Sequence, residues 1–160
     1  MKRALIFFAL AAAPAIAQVA NEPTISADAA LEALNAALKQ CRADGQKVSV
    51  TVVDAAGRVK ASLRGDGAAP HTAEHSMRKA YTALSYKTPS AEYGKRAREA
   101  KGIAIGPQLL PNITTAAGGD PIRVNDVVVG AIGVSGTPSS AGGGEHDAKC
   151  AAAGVAKIAK

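Results

Sequence analysis

The sequence predicts an α+β fold in which helices pack on an antiparallel sheet. The segment 47–64 alternates apolar and polar residues on either side of a turn at 54–57, where Asp stands first and Gly fourth. The segment 113–136 contains three further strand-like runs, and the last two meet at a corner at Asn125 and Asp126. Strands that follow one another as a hairpin and a meander pair antiparallel, and helical patterns before, between and after them supply the covering layer.

The central strand of this sheet is predicted over 127–136. Both of its faces are apolar or small, which is typical of a strand that is covered on both sides. Gly130 and Gly133 leave room for a close approach to its backbone, by either a packed helix or a ligand.

Four helices are predicted from apolar spacing and end signals. Ser26 is placed to cap the first helix and Gly45 to end it. The second helix begins near residue 71, and the third runs from Pro89 to about residue 101. The fourth follows the glycine–serine run 139–144, which we interpret as a mobile linker.

Residues 1–17 are typical of a secretory signal peptide. A basic pair, Lys2 and Arg3, precedes an apolar run over 4–13 that is too short to span a bilayer, and an Ala-x-Ala site ends at Ala17. We expect cleavage after Ala17, a leader over 18–24, one domain over 25–160, and a periplasmic or secreted location.

The charge and hydropathy of the mature chain exclude some classes of function. Loss of Lys2 and Arg3 lowers the formal net charge from +6 to +4, and the remaining excess is spread along the chain without interleaved aromatic residues. We therefore expect no nucleic-acid surface. No other apolar run reaches membrane length, so we also expect no membrane span in the mature chain.

Two cysteines, Cys41 and Cys150, remain after cleavage. An even number of cysteines in an exported chain predicts a disulfide, which here would link the first helix to the last. The alternative is a pair of buried free thiols.

The segment 71–75 reads His-x-x-Glu-His, which matches the zinc motif of one class of protease. The chain is too short for those enzymes and His71 stands at a helix boundary, so proteolysis is disfavoured. A single imidazole suits metal or haem ligation, and we choose His71 as the metal ligand with His75 beside it. The alternative is that both are surface histidines.

Basic residues flank these histidines. Arg64, Arg78 and Lys79, together with a helix N-terminus, would favour an anionic group such as a haem propionate, a corrinoid phosphate or a small carboxylate. Asp66 and the double glycine of Gly118 and Gly119 complete the candidate ligand-binding set.

Two glycine motifs carry less information. The segment 133–136 lacks one spacer of the serine nucleophile elbow, and we interpret it as a strand end. The segment 142–144 precedes a helix in a way that suits anion capture, but no basic residue accompanies it.

Five ordered segments resemble the GlcG/HbpS family, which includes the C-terminal domain of PduO-type cobalamin adenosyltransferases. They are Val-Val-Asp at 52–54 with Gly57, Arg-Gly-Asp-Gly-Ala at 64–68, Lys-Ala-Tyr-Thr-Ala at 79–83, Gly-Gly-Asp-Pro-Ile at 118–122 and Val-Gly-Ala-Ile-Gly-Val-Ser-Gly at 129–136. The resemblance implies a five-stranded antiparallel sheet flanked by helices in a profilin-like layout, and homo-oligomers. Some members bind haem, including an extracellular accessory to a sensor kinase.

Three functional hypotheses follow. The first is an exported accessory protein that binds haem or another tetrapyrrole for redox or haem sensing, with His71 as axial ligand and Arg64, Arg78 or Lys79 near the propionates; a corrinoid is the alternative ligand. The second is a catabolic isomerase or hydrolase that uses His71 and Asp66 as acid and base. The third is an accessory subunit of a periplasmic oxidation complex. Because the chain has few aromatic residues, an oligomer interface would have to complete a haem pocket.

Overall fold

The computed structural model describes residues 21–100 and 110–158. The elements in chain order are α1 (Ala27–Ala43), β1 (Ser49–Asp54), β2 (Val59–Arg64), α2 (His71–Tyr86), α3 (Ser90–Glu99), β3 (Gly119–Val124), β4 (Val127–Ser135) and α4 (Gly143–Ile158). The predicted signal peptide, the first residues of the leader and most of the loop over 102–111 lie outside the described residues.

The sheet has the strand order β2-β1-β4-β3, and every neighbouring pair is antiparallel. Strand β4 lies between β1 and β3, and its last seven residues are buried. These observations confirm the α+β fold with an antiparallel sheet and the central position of the glycine-containing strand. At its start, Asn125 and Asp126 both have positive φ angles of 48° and 63°, as the tight hairpin between β3 and β4 requires.

The expectation of five strands is wrong, because the described part of the chain contains a sheet of four. The predicted strand over 113–115 does not pair with the sheet. The Thr114 amide instead donates to Thr82 Oγ1 of α2 at 2.9 Å, and Thr114 Oγ1 accepts from the Ala116 amide at 3.3 Å. The Thr114 amide is therefore satisfied by a side chain of α2 and not by a neighbouring strand.

Helix α2 covers one face of the sheet, and α1 and α4 cover the other. The main hydrophobic core lies on the α1–α4 face, and a smaller one lies beneath α2. A Cβ atom at Gly133 would overlap the Ser76 carbonyl oxygen and lie 2.6 Å from the Ala80 nitrogen. The close approach predicted at Gly133 is therefore made by the backbone of α2.

Local signals at the helix ends are confirmed in part. Ser26 Oγ accepts a hydrogen bond from the Ala29 amide at 3.2 Å, and Gly45 follows the α1 C-cap with φ of 75°. The linker expected over 139–144 is wrong, because Ser139–Ala141 forms a 3₁₀ turn and α4 begins at Gly143. Gly142, with φ of 93°, permits the change of direction between these two helical segments.

A disulfide joins Cys41 of α1 to Cys150 of α4, as the even cysteine count predicted. The two Cα atoms are 5.6 Å apart, and both residues are fully buried in the main core. Within residues 21–100 and 110–158, every helix is too short or too polar to cross a bilayer.

Candidate functional site

A groove of about 200 Å³ opens beside the first two turns of α2. Its lining residues are His71, Glu74, His75 and Arg78, which recur at the three- and four-residue spacing of one helix face. The sequence therefore brings three of its candidate residues together simply by forming a helix from residue 71. The positive end of the helix dipole lies at this groove and favours anionic ligands.

The two histidines of the groove have different surroundings. His71 is exposed, and among residues 21–100 and 110–158 no group hydrogen-bonds to its imidazole. His75 is half-buried, with Nδ1 at 3.2 Å from Ser135 Oγ and Nε2 at 3.3 Å from Thr114 Oγ1. His71 is thus the imidazole that an incoming ligand can reach.

The environment of His75 favours its neutral form. Burial is the main cause that lowers the pKa of His75, and the positive charge of Lys79 acts in the same direction. A neutral ring can donate from one nitrogen and accept at the other, which suits two hydroxyl neighbours. His75 therefore forms an uncharged floor of the groove.

Arg78 contributes an unsatisfied donor. One terminal nitrogen pairs with Glu74 one helical turn away. Its Nε is buried, yet it has no hydrogen-bond partner among residues 21–100 and 110–158. A buried N–H without a partner is rare and costly. Because 38% of the side chain is exposed, a rotation of the guanidinium would bring its free donors to an anion in the groove.

Lys79 does not face this groove, contrary to the sequence-based proposal. The residue is only 2 % exposed, and its ammonium pairs with Asp147 of α4 at 2.8 Å. Burial lowers the pKa of Lys79, and the carboxylate of Asp147 opposes that shift. The sequence around Lys79 does not indicate this partner, because Asp147 lies 68 residues away in the chain.

The double glycine serves packing, and neither of its residues lines the groove of the histidines. A Cβ atom at Gly118 would lie 2.9 Å from both Asp147 Cβ and Lys79 Nζ. At Gly119 the obstacles would be the Lys79 backbone carbonyl and Ser90 Oγ. Both glycines make room for α2 and its buried ion pair, which is a role that the sequence reasoning had assigned to a ligand.

Arg64 and Asp66 do not line the groove of the histidines. Asp66 lines a separate groove of about 230 Å³, together with Lys47 and Leu38, and Arg64 is exposed at the end of β2. No described groove contains both Asp66 and His71. The acid and the base of the enzymatic hypothesis thus line different grooves.

A larger cleft, of about 410 Å³, lies between the β1–β2 turn and the C-terminal half of α2. Tyr81 and Leu84 form its wall, and its charged residues are Glu22 and Lys87. The sequence analysis missed this cleft. The sequence carried no signal for the contact between the β1–β2 turn and α2.

Comparisons with known proteins identify the family to which the chain belongs. The chain matches the family model described as "Haem degrading protein HbpS-like" over residues 25–156. It superposes on the crystal structure of HbpS with a TM-score of 0.82 and 34% identity, covering 93% of this chain and 100% of the other. No curated protein matches the chain.

Two further solved structures are similar. Klebsiella pneumoniae protein ORFY gives a TM-score of 0.79 with 26% identity, over 91% of this chain and 97% of the other. A PduOC–haem complex gives 0.74 with 24% identity, over 84% and 95%, and so shares the fold. With the family model matching most of its length, the chain belongs to the HbpS-like family of haem-degrading proteins.

Proposed function

We propose that this protein is an exported haem-binding accessory protein that holds haem at the N-terminal end of α2, with His71 as the axial ligand. Membership of the HbpS-like family supports haem as the ligand, and a structural relative, PduOC, is known as a haem complex. The structural observation that carries the proposal is that one groove is lined by an accessible imidazole at His71 and by the partly exposed guanidinium of Arg78, which has a donor without a partner among the described residues.

The residues of the groove fit the chemical parts of haem. An accessible imidazole can ligate the iron, and haem when bound would supply that iron for redox chemistry or sensing. Arg78 would donate to a propionate, and the helix N-terminus would add to the attraction. His75 would keep the floor uncharged.

The groove covers only part of a haem. Its volume of about 200 Å³ is below the roughly 300–1,000 Å³ of pockets that enclose a small molecule. We therefore propose that a homo-oligomer supplies the second wall. Export by the predicted signal peptide would place this assembly in the periplasm or outside the cell.

Titration with hemin tests the proposal. We expect a shifted Soret band for the wild type, and an affinity about tenfold or more lower for His71→Ala, because the metal loses a ligand. Arg78→Gln should lower the affinity without removing the ligated spectrum. His146→Ala is the matched histidine control and should bind as the wild type does. No Soret shift in the wild type would end the proposal, and titration with a corrinoid tests the alternative tetrapyrrole.

A second candidate function is oxidative breakdown of the bound haem, which the family description favours. Its test follows the Soret band of the complex, and iron release, after addition of hydrogen peroxide. Faster loss than for free hemin, slowed in His71→Ala, supports breakdown at this site. Equal rates for free and bound hemin would restrict the protein to binding.

A further inference from the structure

The seam between α1 and α4 contains a cluster of metal-binding side chains that lies apart from the His71 groove. Cys150 and His146 stand one turn apart on α4, and Cys41 meets them from α1. The two sulfur atoms and a ring nitrogen of His146 all lie within 4.8 Å of one another. As long as the disulfide is intact, the sulfurs are bonded to each other and are not metal ligands.

The imidazole of His146 is not held by a well-formed hydrogen bond. Its Nε2 is buried and lies 3.1 Å from Asp44 Oδ2, but the angles do not satisfy a hydrogen bond. Asp44 accepts instead from Gln40 at 3.0 Å and Lys149 at 3.1 Å. A ring in this state can reorient toward a third partner, and a neighbouring carboxylate commonly orients metal-bound imidazoles.

The donor set has the chemistry of a zinc site. Two thiolates and a neutral imidazole are ligands that Zn²⁺ prefers, and their combined charge of −2 cancels that of the ion. Charge balance matters here because Cys41 and Cys150 are both fully buried, where a net charge would be costly.

We propose that reduction of the Cys41–Cys150 disulfide creates a Zn²⁺ site formed by both thiolates and His146. A phosphine or thiol reductant supplies the two electrons that break the sulfur–sulfur bond, and two protons give the dithiol. Zinc binding then releases these two protons as the thiolates coordinate. The α1–α4 seam is thus held by a covalent bond when oxidised and by a metal when reduced.

The required movement is small. Zinc–sulfur bonds of about 2.3 Å in a tetrahedral site place two sulfurs roughly 3.8 Å apart. The Cα atoms of the two cysteines are 5.6 Å apart, so rotation of the two side chains is enough to separate the sulfurs. A water molecule would take the fourth position, which keeps the charge of the site balanced.

Cobalt substitution tests this site. The full chain is reduced with a phosphine, freed of reductant without air, and titrated with Co²⁺, a spectroscopic substitute for zinc. We expect thiolate-to-cobalt charge-transfer bands and intense tetrahedral d–d bands. The oxidised protein should show neither band. His146→Ala should weaken binding by about tenfold or more, whereas His71→Ala should leave it unchanged and so separates this site from the haem groove.

Thermal stability gives a second test, which also applies if reduction destabilises the fold. Circular dichroism of the reduced wild type should show a Tm that rises when Zn²⁺ is added, because the metal binds only the folded chain. The rise should be absent in Cys41→Ser/Cys150→Ser and smaller in His146→Ala. Cobalt bands that are missing, or that are equally strong in His146→Ala, overturn the proposal, as does a Tm that zinc does not raise.

Discussion

The ammonium of Lys79 lies 2.8 Å from the carboxylate of Asp147 inside the protein, and each residue keeps only 2 % of its surface exposed. Lys79 Nζ also donates to the Val134 carbonyl at 3.0 Å, and Asp147 Oδ1 accepts from the Thr137 amide at 3.1 Å. The pair therefore joins α2 to β4 and α4. Because α2 carries the candidate haem groove, this ion pair fixes the position of the groove on the sheet.

Removing one member of this pair should destabilise the protein strongly. Lys79→Met or Asp147→Leu leaves a buried charge without a partner, and we expect each to lower the free energy of unfolding by about 3–5 kcal/mol. The double variant should lose less than the sum of the two, since no charge is left behind. Chemical denaturation of the four proteins measures this.

The control for this cycle is the exposed pair of Lys149 and Asp44, which are 3.1 Å apart. Lys149→Ala should leave the free energy of unfolding nearly unchanged, because solvent screens the pair. Strictly additive losses for Lys79→Met and Asp147→Leu would show that the two side chains do not interact as described.

The contact between α2 and β4 can be tested at Gly133. Alanine there would meet the backbone of Ser76 and Ala80, which cannot move as a side-chain tip can. We expect a loss of about 3 kcal/mol or more in Gly133→Ala. Gly45→Ala is the matched control, because it meets no atom within 4 Å and adds only a positive-φ penalty of about 1–2 kcal/mol. Equal losses in the two variants would contradict a backbone-to-backbone contact at Gly133.

Asp120 should make stability depend on pH. Burial raises the pKa of Asp120 to about 6 from an ordinary 3.8, and Arg123 opposes the shift. Between these values the folded state holds a proton that the unfolded state has released, so the contribution of Asp120 to stability falls as pH rises from about 4 to 6.

Asp120→Asn removes this penalty. Relative to its value at pH 4, the stability difference between the variant and the wild type should shift in favour of the variant by about 1–2 kcal/mol above pH 6, after allowance for partial exposure of the side chain. Denaturation series at pH 4, 5, 6 and 7 give the difference directly, since other titrating groups cancel. A difference that stays constant across this range would show that the carboxyl titrates normally.

Local patterns in the sequence predicted much of the fold correctly. The β1–β2 hairpin was predicted from the turn at 54–57, and the start of α1 was predicted from Ser26. The disulfide was predicted from the number of cysteines. Each of these signals is contained within a few residues or in composition. The residues of the candidate groove could also be predicted from the sequence, because His71, His75 and Arg78 lie close together along one helix.

The errors concern contacts between residues that are distant in the chain. Lys79 was assigned to a ligand because its partner Asp147 belongs to another helix, 68 residues along the chain. The segment 113–115 has the composition of a strand, but its hydrogen-bond partner is a side chain of α2. The periodicity of a sequence indicates which residues face the core. It does not indicate which distant residue forms a hydrogen bond or an ion pair with a buried polar side chain.

The most direct test of haem ligation is the absorption spectrum of hemin bound to His71→Gly, recorded with and without free imidazole. Glycine removes the proposed ligand and leaves space for a small substitute beside Arg78 and His75. We expect the variant to lose the wild-type spectrum and to regain it when imidazole is added. A variant that binds hemin with the wild-type spectrum in the absence of imidazole would show that His71 is not the ligand.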